Sequence, residues 1–218
     1  MYKSIYKSML QTILESIEAK KLLAVIYGGR FQPFHSGHYS VYKNLCHKFG
    51  KGSVWIASSD KTNFDPSKGD ISPFTFDERK EIMTQMFDIS PEKIIKCKNP
   101  TFTPYEILEL YKGPVVNILI CGDKDALRYE KSKNYKQYLG KAKWNTLETS
   151  EHCSYYMIND SKDGDQSGTS IREAFIKAGD DKSKQKIAFK KFYKTVDMDI
   201  LDLIVSKIKM IKEVEPKE

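Results

Sequence analysis

Two hydrophobic periods alternate along the chain. Compact apolar runs at 22–26, 54–57, 115–121 and 154–158, with a shorter one around Ile94 and Ile95, read as buried strands. Between them lie apolar residues spaced about four apart: Val41, Leu45 and Phe49; Ile82, Met83, Met86 and Phe87; Ile107, Leu108 and Leu110. After the last run come Ala174, Phe175, Ile176 and Ala178, then Ile200, Leu201, Ile204, Ile208 and Ile211. These are helix faces. Such strand–helix alternation predicts an α/β chain with one parallel sheet covered by helices. Ahead of it, Tyr2, Ile5, Tyr6, Met9, Leu10, Ile13, Leu14 and Ile17 mark four turns of an extra amphipathic helix. Its stripe suits packing on the chain's own surface or contact with a second copy. The expected organisation is an N-terminal helix at 1–20, a main domain at 21–180 and a basic helical extension at 181–218.

Punctuation residues sharpen these elements. Thr75 and Glu78 form a capping-box pattern, as do Thr103 and Glu106, the latter with Pro104 at the first helical position. Asp197 suits the start of the last helix. The lysine- and tyrosine-rich stretch 129–140 reads as a helix.

The chemistry concentrates at two helix starts. The first follows strand one: Gly28-Gly29-Arg30-Phe31-Gln32-Pro33-Phe34-His35-Ser36-Gly37-His38. Two glycines permit a tight turn and close approach to the backbone. His35 and His38 stand three apart where the helix begins, with no side chain at Gly37 between them. Two imidazoles beside unused backbone N–H groups make an anion site. An ordinary turn with two surface histidines is the alternative. The second follows the last strand: Gln166-Ser167-Gly168-Thr169-Ser170-Ile171-Arg172. Small hydroxyl residues open this helix, and an arginine near its positive end is explained if an anion neutralises it. Alternatively Thr169 or Ser170 is a plain cap and Arg172 a surface charge.

The first stretch resembles the HxGH signature of the nucleotidyltransferase superfamily, with wording most like nicotinamide-mononucleotide (NMN) adenylyltransferases. The second resembles that superfamily's SGTxxR element, and 73–79 (PFTFDER) resembles the same enzymes. The resemblance runs from about 21 to 179. It implies a doubly wound, Rossmann-like sheet of order 3-2-1-4-5 with flanking helices, in which the two elements face each other across the switch point. It also implies nucleotidyl transfer from a triphosphate, carried by Mg²⁺, to a phosphorylated acceptor. ATP and NMN giving NAD⁺ is the first choice. Another acceptor or base, as in a cytidylyltransferase, and a non-catalytic nucleotide- or nucleic-acid-binding protein are the alternatives. His35, His38 and Arg172 would act on the polyphosphate. Gly28, Gly29, Arg30, Phe31, Gly37, Thr169 and Ser170 would complete the nucleotide site. Asp123, at the end of the 115–121 run, suits a ribose hydroxyl, a metal-bound water or a helix cap. On the acceptor side stand Lys61, Arg79, Phe102 and Tyr105. Lys61 equally suits solvated surface, and the two aromatics equally suit loop anchors. The resemblance assigns no protein-ligated metal.

Composition narrows the setting. The 218 residues carry 36 Lys and Arg against 29 Asp and Glu, a net charge of +7, so anionic partners are favoured. Much of this charge lies after 181, where a solvated basic tail explains it without nucleic acid. No apolar run approaches the ~20 residues of a spanning helix. Cys46, Cys97, Cys121 and Cys153 are scattered, which fits reduced thiols and a cytoplasmic location.

Overall fold

The computed structural model describes residues 21–159 and 167–211. The stripe at 2–18 and the polar turn at 160–165 lie outside the described residues. The expected strands form at β1 (Leu22–Gly28), β2 (Val54–Ser58), β3 (Ile94–Lys96), β4 (Val115–Cys121) and β6 (Ser154–Ile158). They pair in parallel in the order 3-2-1-4, with β6 next, as the doubly wound reading requires. A further strand, β5 (Tyr135–Gln137), adds to the outer edge of β6. It corrects the reading of 129–140 as a helix. The helix there, α4 (Asp123–Glu130), stops early, and Tyr138 N–H then donates to the Tyr156 carbonyl, continuing the edge pairing. A lysine-rich stretch reads as a solvated helix until a free sheet edge competes for its backbone.

The sheet is buried on both faces. One face carries Leu23, Val25, Ile56, Ile118, Ile120 and Tyr155. Against it pack α1 (Ser36–Phe49), α2 (Phe76–Phe87), α5 (Gly168–Ala178), α6 (Lys182–Tyr193) and α7 (Met198–Lys209). Phe189, Phe192, Tyr193, Ile200, Leu201 and Ile204 therefore share one core with the strands. The second face carries Ala24, Ile26, Trp55, Leu119, Cys121 and Tyr156, covered by α4 and the short α3 (Tyr105–Leu108). Because chain order reverses between β1 and β4, their carboxyl ends flank the crevice where such sheets bind ligands.

Local chemistry fixes the helix starts. The Thr75–Glu78 capping box is complete: Thr75 Oγ1 accepts from Glu78 N–H and Glu78 Oε2 accepts from Thr75 N–H at 2.8 Å. A cap of this kind contributes about 1 kcal/mol. Glu78 also meets Lys207 Nζ at 2.6 Å, both groups largely shielded, which ties α7 to the first turn of α2. The second capping box does not form. Glu106 instead accepts from Lys98 N–H, and the Thr103 hydroxyl bonds Tyr135 and Ser154. All four cysteines are free thiols. No helix among the described residues is long and apolar enough to cross a membrane.

Candidate active site

The turn after β1 is built from carbonyls held inward. Ser58 Oγ donates to the Gly29 carbonyl at 2.8 Å. The Gln32 side chain pairs twice with the Phe74 backbone, donating to its carbonyl at 3.0 Å and accepting its N–H at 2.9 Å. Phe31 sits at φ 49°, the left-handed region, so the chain reverses sharply here. A Cβ at Gly28 would fall on the Pro100 carbonyl, and one at Gly29 would lie 2.8 Å from the Phe31 ring. Backbone approach therefore requires glycine at 28, while Gly29 packs against the Phe31 ring.

His35 is the N-cap of α1: its Nδ1 accepts the Gly37 N–H at 3.1 Å. Accepting at Nδ1 places the proton of the neutral ring on Nε2, which becomes a donor. That Nε2 is buried and has no partner among the described residues, and the same holds for Nδ1 of His38. The two rings lie 3.8 Å apart, centroid to centroid. Burial pushes the His35 pKa down to about 4. Burial, and then the neighbouring His35, push His38 well below its ordinary value. At neutral pH both rings are uncharged, and one buried nitrogen of each is unpaired among the described residues. Phe31 and Phe34 pack beside His38, with ring centroids 5.1 and 5.4 Å away.

The second helix start docks on this turn. Ser167 caps α5 by accepting from Ser170 N–H, and Ser170 Oγ accepts from Ser167 N–H in return. Arg172 donates one guanidinium nitrogen to the Gln32 carbonyl at 2.8 Å and another to Thr169 Oγ1 at 3.1 Å. A Cβ at Gly168 would lie 2.5 Å from the Gln32 carbonyl oxygen, so the two segments touch backbone to backbone. Arg30, exposed, pairs with Asp70 at 2.7 Å. Its charge and that of Asp70 both act on Arg172. The Arg172 and Gly168 contacts on Gln32 thus bring the second helix start against the loop that carries His35 and His38.

Other candidates fall elsewhere. Phe31 is buried, so only its backbone can face a ligand. Asp123 is exposed at the first position of α4, beyond the carboxyl end of β4. Gly122, rather than Asp123, is the cap. The acceptor-side set does not assemble. Arg79 is 1% exposed, and its guanidinium is used up on the carbonyls of Arg30, Ser59 and Thr75 and on Ser58 Oγ. It cannot reach an acceptor, because those bonds point it into the protein beneath the turn. Lys61 is an exposed residue of the loop after β2. Phe102 and Tyr105 are 44% and 70% exposed, which overturns the loop-anchor alternative. They line a cleft of about 520 Å³ on the second face with Thr103, Tyr135 and Ser154. The 99–103 segment links this cleft to the active-site turn through Pro100 at Gly28.

Sequence reading misses Ser58, Gln32 and Ser167, which hold the site without touching it. Only Ser167 leaves a trace, as a hydroxyl residue just ahead of a helix. Among the described residues no group of three His, Cys, Asp or Glu could hold a metal ion.

A family model described as cytidylyltransferase-like matches residues 26–174, more than half of the chain. Two solved structures of Plasmodium falciparum nicotinic acid mononucleotide adenylyltransferase are similar to it. The one complexed with NaAD is 17% identical with a TM-score of 0.49. The one complexed with APC is 16% identical with a TM-score of 0.48. Each comparison covers 85% of this chain and 95% of the other. No curated protein matches the chain significantly.

Proposed function

The chain belongs to the cytidylyltransferase-like family and is a nucleotidyltransferase; from that premise we propose that it transfers adenylate from ATP to the phosphate of NMN, giving NAD⁺ and pyrophosphate. The observation that carries the site assignment is the contact between the two helix starts, with Arg172 bonded to the Gln32 carbonyl beside two neutral imidazole nitrogens that have no partner among the described residues. The choice of ATP and NMN rests on the wording of the HxGH and PFTFDER segments.

An acceptor phosphate oxygen attacks the α-phosphorus in line, one P–O bond forms, and the bond to the β-phosphate oxygen breaks. The acceptor supplies the nucleophile, so the protein's task is alignment and charge stabilisation. In this reading His35 Nε2–H and His38 donate to phosphate oxygens. Arg172, Thr169 and Ser170 hold the β- and γ-phosphates, and Arg30 exchanges Asp70 for phosphate. Mg²⁺ would arrive on the triphosphate's own oxygens and offset their charge. A flat acceptor ring would stack on Phe102, in the segment whose Pro100 carbonyl meets the active-site turn at Gly28.

The test is a pyrophosphate-release screen crossing ATP and CTP with NMN, nicotinate mononucleotide and phosphorylated alcohols. Fastest turnover with ATP and NMN is expected. Turnover confined to CTP with a phospho-alcohol would replace this assignment. ATP binding without any pyrophosphate release would make the protein a nucleotide sensor.

A further inference from the structure

Arg79 is a large buried cation to which the reaction gives no direct task. It makes no ion pair among the described residues. Instead its fork donates to the Arg30 carbonyl, the Ser59 carbonyl and Ser58 Oγ, while Nε donates to the Thr75 carbonyl at 2.9 Å. Ser58 Oγ passes the interaction on by donating to the Gly29 carbonyl at 2.8 Å. The same side chain therefore controls two consecutive carbonyls of the turn, one directly and one through a hydroxyl.

A trans peptide unit is planar, with its C=O and the following N–H pointing in opposite directions. The cis bond lies further on, at Gln32-Pro33. Holding the Gly29 carbonyl toward Ser58 turns the Arg30 N–H the other way. Holding the Arg30 carbonyl toward Arg79 does the same to the Phe31 N–H. Neither N–H donates to an acceptor within the described residues. Phe31 at φ 49° supplies the left-handed residue that anion-binding nests contain.

We infer that Arg79, acting through Ser58 and the carbonyls of Gly29 and Arg30, is a positioning residue that aims the Arg30 and Phe31 N–H groups at the triphosphate. The inference rests on the reading that the β1 turn holds the triphosphate. Only a planar guanidinium serves this arrangement, since it reaches two carbonyls and a hydroxyl in one plane while a fourth bond leaves from Nε. Burial lowers its pKa to about 10, so it stays charged at neutral pH. Its positive field lies beneath the turn and has the right sign for a polyanion above it.

The experiment compares wild type, Arg79→Lys and Ser58→Ala by calorimetric titration with Mg·ATP, by steady-state kinetics with ATP and NMN, and by thermal melting. Loss of two aimed donors corresponds to about a ten- to hundredfold weaker ATP affinity. That loss is expected for Arg79→Lys, with the KM for NMN within twofold of wild type. Ser58→Ala keeps the guanidinium and frees only the Gly29 carbonyl, so about a three- to tenfold loss is expected. A merely structural Arg79 would lower the melting temperature and leave both KM values alone in the folded fraction. ATP affinity within twofold of wild type in folded Arg79→Lys overturns the inference. If Arg79→Lys does not fold, unchanged ATP affinity in Ser58→Ala overturns it instead. Wild-type protein that binds no ATP would refute the site assignment, and the inference would fall with it.

Discussion

Acid should weaken this protein through His35, and the size of the effect follows from the site. The ring caps α1 by accepting the Gly37 N–H at Nδ1, which requires that nitrogen to be unprotonated. Protonation would break the cap and place a cation at the positive end of a helix, inside a buried pocket. Burial accordingly lowers the pKa from 6.5 to about 4. The unfolded chain takes up its proton near pH 6.5, and the folded chain waits until about pH 4. Stability from this group is thus complete above pH 6.5 and is lost as pH falls toward 4. Linkage over that interval gives about 2 kcal/mol lost between pH 8 and pH 5. His38 is depressed in the same direction and adds to the loss. For a chain of this size 2 kcal/mol corresponds to about 4–8 °C in melting temperature. The control is His35→Asn, which retains a capping oxygen but cannot titrate. Melting both proteins at pH 8 and pH 5 cancels the contribution of groups that do not couple to His35, and His38 stays depressed in the variant through its burial. The drop should be smaller in the variant by about 4–8 °C. Equal drops in the two proteins would refute the neutral, Nε2-protonated assignment of His35.

Three further outcomes test the site. His38→Ala should lower kcat by about two orders of magnitude or more with little loss of stability, measured by pyrophosphate release; near-normal turnover would remove the ring from the reaction. Arg172→Ala should raise the KM for ATP about ten- to hundredfold, since it removes a bidentate phosphate partner and the clamp on Gln32 together; an unchanged KM for ATP would contradict its role. Phe102→Ala should raise the KM for the acceptor about three- to tenfold while leaving that for ATP alone; no change would place the acceptor ring away from Phe102.

The parts of this molecule that were legible in the sequence share a physical cause. Strands buried on both faces must be nearly continuous apolar runs, so β1, β2, β4 and β6 stand out. The two helix starts are legible because backbone closeness demands glycine at 28 and 168, and these positions leave a written mark. β5 is not legible. It is three residues long, sits at an edge and depends on β6 for its pairing, so its own sequence carries no strand pattern. The acceptor-side reading of Arg79 failed for a related reason. Sequence shows that an arginine begins a well-capped helix, but the carbonyls that claim it come from Arg30 and Ser59, distant in the chain. Capping boxes divide similarly. Glu78 meets Lys207 with one carboxylate oxygen and keeps the other for Thr75 N–H, so that box closed, whereas Thr103 and Glu106 were drawn to Ser154 and Lys98.

An anion site must hold donors together before the anion arrives, and like charges in one place resist that. Under the proposed assignment this chain resolves the conflict by keeping most of its donors neutral or occupied. The two imidazoles sit closest together, and burial leaves both uncharged. Arg30 rests on Asp70, Arg172 on the Gln32 carbonyl and Thr169, and Arg79 on carbonyls beneath the turn. Each guanidinium is thus satisfied without a buried carboxylate that would later repel phosphate. Arg30–Asp70, the one ion pair in the group, is exposed on both sides and therefore cheap to exchange. Little reorganisation is then left for the moment of binding, which is the condition under which fixed dipoles stabilise a developing charge most effectively.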